Sequence, residues 1–177
     1  SKIPFYVEDI VWPTVALKKL VEPSVKVDNE DLRKGFVSKF GERVEVLGIV
    51  VANSKRVTKV WDMARKNPGE EFFANLSAQY SDDPDLRANR GLMDPIPMYG
   101  PFPERVTQEV FRLKPGQITG TIQIGNQWAI FYCKGRTKPL VKNFDDVKDI
   151  LHQDIKEQKF RVAMDDYFGR LRSGARI

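Results

Sequence analysis

Apolar residues near the start of the 177-residue chain recur with the spacing of one helical face. Trp12, Ala16 and Leu20 are four residues apart, and Pro13 is tolerated there only near the first turn of a helix. A second helix is predicted over VDNEDLRKGFVSKFG, where Asp28 suits the N-cap and acidic residues follow in the first turn. The pattern therefore predicts a helical N-terminal part.

The middle of the chain mixes strand and helix patterns. The run RVEVLGIVVA is rich in β-branched residues and predicts a strand. Two helices are predicted next, one ending at Asn67-Pro68-Gly69 and one over EEFFANLSAQY. After a long loop, PERVTQEVFRL predicts a short helix, and two strands are predicted on either side of a turn at Gly125-Asn126. Core positions expected from this spacing are Trp61, Phe73, Leu76, Phe111, Ile130 and Tyr132.

Everything from Asn143 onward has a helical pattern, with Asp145 and Asp146 in the first turn. Roughly thirty residues at about 1.5 Å each give a helix of about 45 Å, longer than a compact domain of this size needs for itself. We therefore predict an α+β fold, in which a small antiparallel sheet covered by helices is inserted into a helical domain built from both chain ends. The predicted segments are 1–43, 44–137 and 138–177.

Composition and charge narrow the possible partners. The chain is 41% hydrophobic and 30% charged, which is typical of a globular protein, and its net charge of +5 is spread along the sequence. Because basic residues do not cluster with aromatic ones, we expect no nucleic-acid partner. No purely apolar run, IVVA included, is long enough to span a membrane. No signal peptide is visible, but the chain opens SKIPF without Met, so this says little about its compartment.

The single cysteine and the single histidine exclude some kinds of site. Cys133 has no partner for an internal disulfide and is expected to pack as a small hydrophobic residue. His152 lies in the charged stretch DILHQDIKEQK, where an exposed structural role is expected. No Cys or acidic residue stands at metal-ligand spacing from it, so we expect no metal site and no cofactor.

Candidate chemistry centres on the loop SAQYSDDPDLRANRGLMDPI. Its adjacent carboxylates, Asp82 and Asp83, precede Pro84, and an apolar tail follows. One interpretation is the rim of an active site. The other is a capping turn after a helix, because Asp before Pro is common turn chemistry. Both interpretations remain open at this stage.

Three stretches in order, FFANLSAQYSDDP, NRGLMDPI and EVFRLKPGQITGTIQIGNQWAI, resemble the parvulin family of peptidyl-prolyl isomerases over Val44 to Arg136. The flanking helical stretches resemble the chaperone part of SurA-like bacterial envelope foldases. The resemblance implies a parvulin-like sheet and a periplasmic or other extracytoplasmic location. It also implies rotation about an X-Pro bond, whose barrier is about 18–20 kcal/mol, in an apolar cup with polar groups that favour a twisted amide.

The family's site residues can be carried over by position. The resemblance makes Asp83 the candidate catalytic group. It places the proline-binding cup at Met93, Phe102, Val106 and Trp128. Two positions that often hold histidine in the family are Gly48 and Ala129 here. We expect all seven residues to face one concavity, made roomier by the missing imidazoles.

Two functions of different kinds follow from this resemblance. The first is a peptidyl-prolyl isomerase and foldase acting on unfolded or Pro-containing polypeptides, with catalysis weak or lost because both histidines are absent. The alternative is a non-catalytic chaperone or peptide-binding module, in which exposed Met98, Tyr99 and Phe102 provide apolar contacts.

A third interpretation is that the chain is a fragment of a larger assembly, with IPFYVEDIVW as a segment that packs on another region or on a second copy. A homo-oligomer formed through the helical segments is a possible partner arrangement.

Overall fold

The computed structural model describes residues 12–140 and 142–174. Its contacts divide the chain into two compact units, one made of residues 1–36 with 142–177 and one made of residues 37–141. These limits differ by some residues from the predicted segments, whose boundaries remain a prediction. The elements are α1 (Trp12–Val21), a 3-10 turn (Glu22–Ser24), α2 (Asn29–Phe40), β1 (Arg43–Val51), α3 (Ser54–Lys66), α4 (Glu70–Tyr80), α5 (Pro84–Ala88), β2 (Ile96–Pro97), α6 (Glu104–Phe111), β3 (Ile122–Ile124), β4 (Gln127–Arg136) and α7 (Phe144–Gly174).

A four-stranded antiparallel sheet with the order β2-β1-β4-β3 organises the unit of residues 37–141. The long β1–β4 ladder contains a bulge between Glu45 and Val46. Strands β3 and β4 meet at the predicted turn, where Gly125 has a φ of 61°, a conformation that favours glycine. The predicted α+β class is confirmed. Strand β2 was not identified from the sequence because two residues carry no periodicity.

One face of the sheet is covered by α3 and α4, and we call it the helix-covered face. Strand residues alternate between faces, so Leu47, Ile49 and Val51 of β1 all point to this side. The Trp61 side chain, half-buried, donates from Nε1 to the Thr119 carbonyl oxygen over 2.9 Å. The predicted core positions on this face are confirmed as buried: Phe73, Leu76, Ile130 and Tyr132.

The other face is covered by α6 together with Met93 and Phe102 of the loop segments that flank β2, and we call it the loop-covered face. Its buried cluster consists of Val44, Val46, Ile96, Val106, Val110, Ile122, Ala129, Phe131 and Cys133. The predicted core residue Phe111 is half-buried and packs against this cluster. Cys133 is fully buried, as predicted, and burial raises the pKa of its thiol.

The helical unit holds residues from both chain ends. The ring centroids of Phe36 in α2 and Phe144 in α7 are 5.5 Å apart, with the rings edge to face. Gly35 allows close approach, because a Cβ there would lie 2.8 Å from the Ile155 side chain. The Lys159 ammonium donates to the Asp31 carboxylate, and this hydrogen bond is the main cause that lowers the pKa of Asp31.

Two further sequence predictions concern this part of the chain. Most of the segment IPFYVEDIVW lies outside the described residues, so its predicted packing stays a prediction. Helix α7 has 31 residues, in keeping with the expected length of about 45 Å. Within the described ranges, no helix is both long enough and apolar enough to cross a membrane.

Candidate functional site

Gly48 and Ala129 lie on the loop-covered face of the two central strands. Gly48 pairs with Phe131, and Ala129 pairs with Val50 of β1 and Ile122 of β3. Directly paired residues of antiparallel strands project to the same side of a sheet. Both positions therefore face the cluster to which Phe131 and Ala129 belong.

The space beside Gly48 is already filled. A Cβ built on Gly48 would lie 3.1 Å from the Met93 Sδ, 3.5 Å from the Leu86 Cδ1 and 3.6 Å from the Phe131 Cε1. The expectation of a site roomier than one with two imidazoles stays a prediction. A thioether, which adapts its shape easily, occupies the room that the missing Cβ leaves.

Three of the predicted cup residues share this face. Val106 in α6 is completely buried in the cluster, while Met93 and Phe102 are half-buried against it. Half-buried apolar side chains at the edge of a buried cluster leave surface that a ligand can contact. The structure therefore brings Met93, Phe102 and Val106 to the side of the sheet that Gly48 and Ala129 face.

Trp128 lies on the other side of the sheet, and its predicted place in the cup is corrected. It neighbours Ala129 in β4, and consecutive strand residues project to opposite faces. Its side chain packs against the helix-covered cluster. The residue that lines the loop-covered face in its place is Phe131, two positions beyond Ala129 along the same strand.

Asp83 caps the short helix α5. Its Oδ1 accepts hydrogen bonds from the backbone N–H groups of Asp85 and Leu86, both over 2.9 Å. This is the N-cap geometry that the capping interpretation of Asp83-Pro84 predicts. A catalytic role for Asp83 remains a prediction.

Asp82 joins three segments of the unit. Its Oδ2 accepts from the Ala52 N–H and its Oδ1 from the Arg56 guanidinium, each over 2.8 Å. The backbone hydrogen bond from Ala52 is the main cause that lowers the pKa of Asp82, and the Arg56 charge contributes. Asp82 is therefore held ionised at the point where the long loop leaves α4.

A second attachment, which the sequence did not reveal, fixes the loop beside Gly48. The Gly48 N–H donates to the Gly91 carbonyl oxygen over 2.8 Å, and the Ser77 hydroxyl donates to the Gly48 carbonyl oxygen over 2.8 Å. Gly91 has a φ of 85°, and a Cβ there would lie 3.0 Å from the Gly48 oxygen. We call these three residues the Gly48 clasp. The Arg90-Gly91 pair of the sequence was its only visible signal.

Next to the clasp, Arg90 also takes a positive φ, of 53°. Its Nη2 donates to the Glu71 carboxylate and to the Asn75 side-chain oxygen, each over 2.6 Å. These contacts hold the loop against α4. They account for an arginine at a position where the backbone conformation is otherwise unfavourable.

The exposure of three apolar residues differs from the expectation. Met98, Tyr99 and Phe102 are half-buried, so the prediction of exposed apolar side chains is corrected for all three. Among the described residues, no group of three or more His, Cys, Asp or Glu side chains is placed to hold a metal ion.

Residues 36–149 match the family of PPIC-type PPIASE domains, which is more than half of the chain. The chain therefore belongs to the PPIC-type peptidyl-prolyl isomerase domain family, and the predicted parvulin resemblance is confirmed.

Particular relatives are bacterial foldases. Foldase protein PrsA 3 of Bacillus anthracis is 25% identical over 149 residues, which are 84% of this chain and 48% of the relative. The PrsA structure of Bacillus cereus has a TM-score of 0.63 at 18% identity, covering 93% of this chain and 60% of that one. A SurA-like chaperone of Campylobacter jejuni has a TM-score of 0.52 at 19% identity, covering 100% and 73%. The chain spans about half the length of the curated relatives it matches.

Proposed function

We propose that the unit of residues 37–141 is a foldase domain that binds Pro-containing segments of unfolded or exported polypeptides on its loop-covered face. We further propose that its isomerase activity is weak or absent. The observation that carries this proposal is the placement of Gly48 and Ala129 on an apolar face, with the Met93 sulfur beside Gly48.

The chemistry of X-Pro rotation gives the reason. No covalent bond breaks, so the protein must stabilise a twisted amide better than a planar one, which requires polar groups near the rotating bond. The only histidine of the chain is His152, outside this unit. The Asp83 Oδ1 accepts hydrogen bonds from the Asp85 and Leu86 N–H groups at the start of α5, and the Thr119 hydroxyl accepts from the Phe131 N–H over 3.0 Å. These groups are occupied by the fold, while the apolar contacts for a proline ring remain.

The alternative is a chaperone or peptide-binding module with no catalysis. The same half-buried side chains, Met93 and Phe102, favour it, because apolar contact alone holds an extended segment without twisting it. The two functions differ in whether the domain accelerates X-Pro isomerisation, and both require the domain to bind a polypeptide segment.

An isomerisation assay on short X-Pro peptides, run beside an aggregation-suppression assay on an unfolded client, separates them. We expect suppression of aggregation with little acceleration of isomerisation. Met93→Ala should weaken suppression, and Met63→Ala, on the helix-covered face, is the matched control. Isomerisation as fast as that of a histidine-containing parvulin would overturn the weak-catalysis proposal. Equal suppression by parent and Met93→Ala would overturn the binding face.

Location and assembly belong to the same proposal. We infer an extracytoplasmic place of action, supported by the likeness to foldases and to SurA-like chaperones. A homo-oligomer formed through the helical segments is the corresponding proposal for assembly. Fractionation of the native organism tests the location. Light scattering of the purified chain tests the assembly, and a monomer at all concentrations would contradict the homo-oligomer.

A further inference from the structure

The outer edge of strand β3 has no neighbouring strand, because β3 is the last in the order β2-β1-β4-β3. Edge strands expose backbone N–H and C=O groups, and proteins usually protect them with proline or with charged side chains. Strand β2, at the opposite edge, contains Pro97. In contrast, no residue from Gly116 to Cys133 is charged or a proline. The edge of β3 therefore lacks the usual protection against pairing with another chain.

Gln123 is the residue of β3 whose backbone points outward. The β3–β4 hairpin places Gln123 opposite Trp128, and Ile124 pairs with Gln127 around the two-residue turn at Gly125-Asn126. Alternate pairs of an antiparallel ladder are hydrogen-bonded, and the pair that closes a two-residue turn is one of them. The next pair, Gln123 with Trp128, makes no ladder hydrogen bond, so the Gln123 N–H and C=O face away from β4.

Hydrogen bonds farther along β4 support this alternation. The Thr119 N–H donates to the Phe131 carbonyl oxygen, and the Cys133 N–H donates to the Gln117 carbonyl oxygen, each over 2.9 Å. Odd-numbered residues of β4 therefore direct their backbone groups to the β3 side. Trp128, at an even number, directs its own to β1.

The outward groups of Gln123 are accessible. The residue is exposed, and its side-chain Nε2 donates to the Gly125 carbonyl oxygen over 3.2 Å, within the same hairpin. Among the described residues, no hydrogen bond from outside the hairpin reaches the Gln123 backbone. By contrast, the carbonyl oxygen of Thr119, shortly before β3, accepts from the Trp61 indole. Gln123 thus offers one donor and one acceptor, the pair that an extended peptide can bind.

The side chains that flank Gln123 belong to the loop-covered face. Ile122 is part of its buried cluster, and Ile124 packs against that cluster. A strand added antiparallel to β3 would place one residue opposite Gln123, exchanging both hydrogen bonds with it. The neighbours of that residue would lie opposite Ile122 and Ile124, with their side chains on the loop-covered side and their N–H groups pointing away from β3.

Of these two positions, the one opposite Ile124 suits a proline better. Ile122 is 2% exposed, whereas Ile124 is half-buried and keeps surface for contact. A proline has no N–H, and none is needed at a position where that group points away from the ladder.

We propose that the edge of β3 anchors the client polypeptide by strand addition, with a proline opposite Ile124 and the residue after the proline opposite Gln123. The inference rests on the proposed function, because the proline then lies at the β3 end of the loop-covered face. Strand addition of this kind derives affinity from backbone hydrogen bonds. The ligand class is therefore an extended segment in which the residue after the proline has an N–H, so a Pro-Pro sequence is excluded.

A second copy of the chain fits this edge less well than a client segment. Strand β3 has three residues, and two such edges paired through Gln123 would gain only the hydrogen bonds of that residue. A client segment gains the same bonds and also contacts the apolar side chains of the loop-covered face.

N-methylated peptides test the proposal on the full, unaltered chain. A short peptide with a single proline is compared with versions methylated on the nitrogen of the first or of the second residue after the proline. We expect the first methylation to weaken binding about three- to tenfold, as for one lost hydrogen bond. The second should leave the affinity unchanged, because that N–H points away from β3. In heteronuclear NMR, hydrogen exchange of the Gln123 amide should slow when the unmethylated peptide binds.

A change in the protein gives a second test. Gln123→Pro removes the outward N–H and spares the ladder to β4, since proline is tolerated on an edge strand where its nitrogen faces solvent. We expect it to weaken peptide binding about three- to tenfold, by the same loss of one hydrogen bond. Gln123→Ala keeps the N–H and is the matched control, because the Gln123 side chain lies on the helix-covered side. The methylated peptides decide the question if Gln123→Pro does not fold.

The outcomes separate this proposal from the proposed function. If the first methylation weakens binding no more than the second, or if the Gln123 amide exchanges as fast with peptide bound, the β3 edge alone is wrong. Protection of Gln123 that rises with protein concentration and without peptide would assign the edge to a second copy instead. If none of the peptides binds, both the strand addition and the proposed binding function are wrong.

Discussion

The two faces of the sheet are built in different ways from the same strands. Helices α3 and α4 cover one face with side chains repeated at helical spacing, and Phe73 and Val60 there are almost completely buried. The other face is covered by the eight-residue helix α6 and by a loop, and it keeps Met93 and Phe102 half-buried. Both faces therefore bury an apolar core, but two helices close the first core, whereas a short helix and a loop close the second.

The loop that covers the second face is held at separate points. Asp82 fixes its start to β1 and α3, and the Gly48 clasp fixes its middle to β1 and α4. Between these two points Asp83 caps α5. The loop-covered face therefore depends on a few hydrogen bonds in addition to the buried area of its cluster.

The largest expected effect is the loss of stability on truncating Phe73, and truncation of Met93 on the other face is its comparison. Phe73→Ala should lower the free energy of unfolding by about 3–5 kcal/mol, because it leaves a cavity under two helices. Met93→Ala should cost only about 1–2 kcal/mol, because Met93 is half-buried and its surroundings can relax. Urea unfolding measures both. Equal losses would show that the faces do not differ in this way.

A matched pair of glycines tests the clasp. Gly91 and Gly116 have similar φ angles, 85° and 89°, but a Cβ on Gly116 would meet nothing within 4 Å. Gly116→Ala should cost about 1 kcal/mol for backbone conformation alone. Gly91→Ala should cost about 1–2 kcal/mol more, because its Cβ crowds the Gly48 oxygen and Ser77. Chemical denaturation measures the difference between the two losses of unfolding free energy. Equal losses would show that the close approach at the Gly48 clasp does not constrain residue 91.

Restoring the imidazoles should separate binding from catalysis on the loop-covered face. Gly48→His combined with Ala129→His should raise isomerase activity about tenfold, or about 1.4 kcal/mol in the barrier, once the flexible Met93 side chain moves aside. Gln123→His adds one imidazole at an exposed β3 position opposite Trp128 and should change nothing. A protease-coupled X-Pro assay reads the rate. No gain in a correctly folded double variant would mean that the missing histidines do not limit activity.

The smallest expected effect concerns Asp82. Asp82→Asn should cost about 1 kcal/mol of stability at neutral pH, through one weakened ion pair and one weakened hydrogen bond. Because the folded-state pKa lies below the ordinary value of 3.8, this stability is present above that value and is lost as the pH falls through the lower one. Thermal unfolding between pH 7 and pH 2 should show a shallower acid-side decline in the variant. Parallel curves would contradict the role of Asp82.

Much of the fold followed from periodicity. The buried Val57, Val60 and Ala64 of α3 have helical spacing, and the Gly125-Asn126 turn has the chemistry of a tight hairpin. Strand alternation alone places Trp128 opposite to Ala129, because residues adjacent in a strand face opposite sides of the sheet. Strand alternation starting from Ala129 points instead to Phe131.

Spacing and residue identity are enough to predict every described helix except α5, together with the main strands, the family and the lack of histidine at Gly48 and Ala129. The course of the loop, with α5 inside it, follows from contacts that the sequence does not reveal. Asp82 and Asp83 have the same chemistry, yet one joins β1 to α3 and the other caps α5. Likewise, no local pattern places the Met93 sulfur beside Gly48. Such contacts arise from the path of a loop between distant residues, and that path is set by hydrogen bonds to elements far away in the sequence.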